Sequence, residues 1–174
     1  MLKPALLALC LAFPLSAMAF DASDEAAITT RFDQLLADIK AGNMASMLDV
    51  TPPPIFEAMA KQVGLSPQQL KDITTAQAAQ MMDQVTIEDA SYDLNAAEKS
   101  VSSTGRDYAL IPTRTVMKMG DDRIEATGTT LALEDAGTWY LMRLDTPDHL
   151  AMVGQIYPDL AGLTMPQPGM RQLD

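Results

Sequence analysis

Residues 108–144 read YALIPTRTVMKMGDDRIEATGTTLALEDAGTWYLMRL, and this stretch decides the fold. Three β-rich runs, Tyr108 to Met119, Arg123 to Leu133 and Thr138 to Leu144, are separated by Gly120-Asp121-Asp122 and by a turn at Asp135-Ala136-Gly137. Turns this short leave no room for a crossover, so the runs must be antiparallel neighbours in a meander. Working back from them, Lys99 to Thr104 is a weaker Ser/Thr-rich strand ended by Gly105, and Ala90, Tyr92 and Leu94 alternate with polar residues.

Before Val85 the period is helical. Ile28, Phe32, Leu35, Leu36 and Ile39 make one apolar stripe that Asp21 or Ser23 can cap and Gly42 stops. Met44, Met47 and Leu48 form a short helix ended by Thr51 and three prolines, and a second helix runs from about Pro54 to Val63. Ser66, Pro67 and Gln69 form a capping box with proline at the first helical position, opening a helix to about Gln84. After the meander, Thr146 and Pro147 open a last helix through Leu150, Val153 and Ile156. The tail from Pro158 is expected to run extended along the body, with residues 169–174 loose. Helices first and strands afterwards imply a single α+β domain, residues 20–168, with helices on one face of an antiparallel sheet. A sheet curved around the first helix would enclose a cone-shaped interior, where a site is expected.

The N-terminus reads as a cleavable export signal. Lys3 supplies the positive start, Ala5 to Leu15 is an apolar run, and Ala17-Met18-Ala19 places small residues for cleavage after Ala19. The run is too short for a membrane span. Residues 1–19 are therefore assigned to the signal, and the rest to a periplasmic or secreted protein with no stable membrane span. The only cysteine, Cys10, lies in the signal behind Leu9, which is not the small residue of a lipoprotein signal. The mature chain then has no thiol, disulfide or Cys-ligated metal chemistry.

The formal charge is −11, and −12 once Lys3 is removed. The acids are scattered and the basic residues form no stripe, so nucleic acid and anionic membranes are disfavoured as partners. A homodimer is compatible with these features.

The order of helices and strands, ending in Gly137-Thr138-Trp139-Tyr140-Leu141-Met142, resembles the NTF2-like (cystatin-like, α+β cone) superfamily. Tyr108-Ala109-Leu110-Ile111-Pro112-Thr113, and the tail Tyr157-Pro158-Asp159-Leu160-Ala161-Gly162-Leu163-Thr164-Met165-Pro166, are similar to small exported bacterial proteins of that fold. The resemblance covers roughly residues 22–168 and implies the cone. The superfamily hosts enzymes, adaptors and binding domains, and none of its catalytic residues maps onto this chain.

Four residues are candidates for ligand binding: Arg114, Tyr108, Glu125 and Trp139. Arg114 shares strand parity with Tyr108 and Leu110. Facing inward, it would recognise a carboxylate or phosphate. Facing outward, it would pair across the strands with Glu125 or a neighbour. Trp139 would floor a pocket or anchor the core. His149, the only histidine, reads as an exposed helix-start residue beside Asp145 and Asp148 in preference to a general base. Eleven methionines follow the signal; their spacing suits core packing better than Cu(I) binding, and no metal or cofactor is expected. No residue is assigned a catalytic role, and no nucleophile elbow or phosphate loop is present. The reading is a non-catalytic exported domain binding a small apolar or weakly anionic ligand, or a protein partner. The alternatives are a cell-envelope interaction module and a cofactor-free enzyme using Asp93 or Glu125 as proton shuttle.

Overall fold

The computed structural model describes residues 20–82 and 84–174. The expected signal, residues 1–19, lies outside the described residues. Four helices come first: α1 (Ala22–Lys40), α2 (Ser46–Asp49), α3 (Pro53–Gln62) and α4 (Pro67–Met82). The strands are β1 (Val85–Tyr92), β2 (Glu98–Val101), β3 (Asp107–Met119), β4 (Asp122–Asp135) and β5 (Thr138–Leu144). Helix α5 (Pro147–Ile156), a 3-10 turn (Pro158–Leu160) and β6 (Gly169–Leu173) close the chain.

The caps foreseen in the sequence are made. Asp21 accepts from the backbone of Ser23 and Asp24, while Asp24 accepts from the Asp21 amide, satisfying donors that a helix start leaves open. Ser66 and Gln69 exchange the same pair of bonds at 2.9 and 3.2 Å. Thr146 Oγ1 takes the His149 amide, with Pro147 in the first turn.

The described strands form an α+β fold with an open, six-stranded antiparallel sheet. β3 and β4 are the long central pair, in register from Tyr108 opposite Leu133 to Met119 opposite Asp122. The outer edge of β3 is shared by β1, along residues 113–119, and β2, along residues 107–110. The outer edge of β4 is shared in the same way by β5, along residues 129–135, and β6, along residues 123–127.

Strand parity divides the core in two. Ala109, Ile111, Ala132 and Leu141 point to one face, where Ile28 and Phe32 of α1 cover them. Leu110, Leu131, Leu133 and Leu144 point to the other, under Ile55 of α3 and Val153 of α5. The helices therefore cover both faces, and not one face as the order of elements suggested. The reason lies in Val50 to Pro53: the Val50 carbonyl accepts from the Leu141 amide at 2.7 Å on the free edge of β5, and buried Pro52 follows. The chain thus passes from the α1 side of the sheet to the α5 side around that edge. Each fully buried Ile or Leu stabilises the fold by roughly 1.5–3 kcal/mol relative to exposure.

The tail also differs from expectation. Residues 169–173 are not loose but pair with β4, because β5 stops opposite Thr129 and leaves residues 123–127 with unpaired edge groups. Ahead of that strand, Tyr157 and Asp159 pin the tail to the body. Asp159 accepts from Ser102, Thr104 and Arg106 at 2.7, 2.8 and 3.1 Å, and Tyr157 donates to Asp135 at 2.9 Å.

Candidate functional site: an apolar cavity under the first helix

The sheet face that carries Ile111 and Leu141 is not filled along its whole length. Between it and α1 lies a cavity of about 360 Å³. The stripe Phe32, Leu35, Leu36 and Ile39 forms one wall, and Met47, Leu48 and Val50 extend it. Ile87 and Ala90 of β1 and Leu141 of β5 face them, and Met59, Met142 and Met152, from the α5-side core, also line it. The methionines supply deformable apolar surface, as their unbranched chains allow.

One end of the cavity is polar. Thr113 and Thr130 meet there with Arg143 and His149, while Thr51, Ser91, Arg114 and Thr115 line the cavity elsewhere along its walls. Arg143 shares the face of Leu141, since it pairs opposite Thr130, which is itself opposite Ile111. Its Nε donates to Asp145 Oδ1 at 2.7 Å, and among the described residues the guanidinium has no other hydrogen bond. This ion pair packs against Gly128 in the middle of β4. A Cβ there would stand 3.1 Å from Asp145 Oδ1 and 3.2 Å from Arg143 Nη2, so the missing side chain makes room for the pair. The Asp145 amide donates to His149 Nδ1 at 3.2 Å. That bond requires a lone pair on Nδ1 and places the neutral ring's proton on Nε2.

The residues singled out in the sequence do not assemble into one site. Arg114 borders the cavity, but its parity is that of the opposite face, where its Nε meets Glu125 Oε2 and its Nη1 meets Asp89 Oδ2, both at 2.6 Å. Arg171 of β6 takes the other Glu125 oxygen at 2.6 Å. Hydrogen bonds from Arg171 and Arg114 hold the Glu125 carboxyl down at about 2 and make it a weak proton acceptor. Asp93 is spent on the amides of Asn95 and Ala96. Tyr108 packs against the α5-side core. Trp139 lies in the α1-side core with Phe20 edge-on, ring centroids 5.5 Å apart.

Arg143 and Gly128 are the elements that sequence reasoning passed over, and it took Asp145 only as a neighbour of His149. The signal was present: an arginine two residues beyond Leu141 in a strand must share its face. His149, expected to be exposed, is half-buried at the cavity. Among the described residues no group of three or more His, Cys, Asp or Glu side chains is placed to hold a metal ion, and no helix is long and apolar enough to cross a membrane. Comparison with protein-family models, curated proteins and solved structures finds no match to this chain.

Proposed function

We propose that this chain is an exported binding domain of NTF2-like architecture that holds a small, largely apolar ligand between its first helix and its sheet. The observation that carries the reading is the cavity. It has apolar walls from three layers of structure and a small set of polar groups at one end, which is the usual make-up of a small-molecule site. Its volume of about 360 Å³ falls within the range of such sites. Export is supported by the Lys3 start, the Ala5 to Leu15 run and the small residues before Phe20. The NTF2-like assignment is supported by helices preceding a long meander and by the Gly137-Thr138-Trp139 strand.

The test uses the chain from Phe20 onward with a phenylnaphthylamine dye, whose emission rises in apolar surroundings. Saturable binding is expected. Ala90→Phe and Thr115→Phe, which place a ring in the cavity from two different strands, should each weaken it about tenfold or more, the effect of losing about 1.4 kcal/mol. Circular dichroism and Tm show that each variant is folded. No saturable binding, or binding untouched by both folded variants, overturns the reading.

A further inference from the structure

From the polar end of this cavity we infer that its occupant is an uncharged amphiphile: an aliphatic body of about ten carbons ending in a carbonyl or similar acceptor oxygen. The inference rests on the binding reading above and narrows it to a ligand class.

Size comes first. A cavity of about 360 Å³ has room for roughly a dozen non-hydrogen atoms, at about the 30 Å³ that a liquid water occupies. The walls contributed by α1, α2 and β1 are aliphatic or thioether, apart from the Phe32 ring and the Ser91 hydroxyl, so a flexible chain fits them.

The head group follows from the donors. Arg143 retains the N–H groups of both its terminal nitrogens, because only Nε is engaged by Asp145. His149 has Nδ1 occupied by the Asp145 amide and presents Nε2–H. Thr130, paired opposite Arg143, lines the same end and contributes a hydroxyl. Donors predominate there, so an acceptor oxygen is the complementary group.

The charge of the head follows from Asp145. Its carboxylate lies 2.7 Å from Arg143 Nε and cancels the guanidinium charge. A ligand carboxylate would give up its hydration for a site already neutral, beside a second anion. The formal charge of −11 also opposes the approach of anions. A ketone, ester or amide oxygen takes the same N–H donors without either penalty.

Three probes of about equal size test this: methyl nonyl ketone, decanoate and decane, each displacing the dye from the wild-type domain at pH 7. The ketone should bind at least about tenfold tighter than either of the others. Asp145→Asn, which frees the Arg143 charge while leaving the backbone donor to His149, should tighten decanoate by about tenfold or more and reverse the order. Arg143→Met should bring the ketone and decane within about threefold. If decanoate binds tightest to the wild type, or all three bind alike, the head-group inference fails while the cavity reading stands. If the dye itself does not bind, the cavity reading fails. Should Asp145→Asn not fold, the wild-type ranking and Arg143→Met decide the question.

Discussion

Oδ1 of Asp107, at the start of β3, is buried and accepts no hydrogen bond among the described residues. Burial raises its carboxyl pKa, and the charges of Asp24, Glu134 and Asp21 raise it further. A folded-state pKa above the unfolded one means that the charged form is disfavoured in the fold. The side chain therefore costs stability at neutral pH, and acidification relieves the cost. Asp107→Asn removes the charge and adds donors for the surrounding carboxylates. It should stabilise the domain by about 1 kcal/mol at pH 7, or about 2–4 °C in Tm for a chain of this size. Thermal melts at pH 7 and pH 4 check the claim: the advantage must shrink at pH 4, and a lower Tm at pH 7 would refute it. Nothing in Gly105-Arg106-Asp107-Tyr108 signals this strain, because it comes from α1 docking its acidic first turn over a distant strand. The candidate site was half-legible for a related reason. The parity of Arg114 correctly offered an ion pair with Glu125 as one of two outcomes, but parity cannot say which stretch of each face the helices leave open. Arg143 was missed because its significance depends on that choice.

Among the elements, the β4–β5 hairpin carries an avoidable cost. Asp135 pairs with Thr138, so Ala136 and Gly137 form a two-residue loop, with φ of 51° and 80°. Such a turn needs two residues in the left-handed region, which glycine adopts freely and alanine at about 1–2 kcal/mol. Ala136→Asn, the residue this turn type favours, should recover about 1 kcal/mol and raise Tm by about 2–4 °C. An unchanged or lowered Tm would show that the alanine conformation carries no such cost. This hairpin was read from the sequence almost to the residue, as were α1, α4, β5 and α5, because each has a local cause: a cap, a proline, a Gly/Asp turn or an unbroken period. Strand β6 was not read. Gly169-Met170-Arg171-Gln172-Leu173 has no β-branched residue, and two prolines stand just before it. It is a strand only because β4 outruns β5 and because Arg171 meets Glu125.

At the scale of the whole molecule, architecture was legible further than function, because helix and strand order are carried by local period whereas a cavity is defined by what does not touch. The acidic composition also acts at this scale. A formal charge of −11 repels itself in the compact state, and protonating carboxylates eases that repulsion as pH falls. Asp107, with its raised pKa, adds to the relief. Three other acids act in the opposite sense, the exposed Asp21 of the first cap, lowered by its bond from the Ser23 hydroxyl, among them. Glu125, at about 2, is pulled down by hydrogen bonds from Arg171 and Arg114. Asp159 is pushed up by burial but brought below its ordinary value by Ser102, Thr104 and the Arg106 charge. An acid whose folded pKa is depressed contributes stability that is present above its unfolded pKa, about 4, and is lost as pH falls toward the folded value. Tm should therefore hold or rise from pH 7 to about pH 5, then fall steeply between about pH 4 and pH 2. Adding about 0.5 M NaCl should raise Tm more at pH 7 than at pH 5, because screening acts on repulsion that acid has not yet removed. Glu125→Gln should lower Tm at pH 7 and flatten the acid limb, since it deletes one of the groups whose protonation drives it. A Tm that declines steadily from pH 7 to pH 5 would mean that the ion pairs outweigh the repulsion at neutral pH. An acid limb unchanged in Glu125→Gln would mean that Asp159 and the tail it anchors give way first.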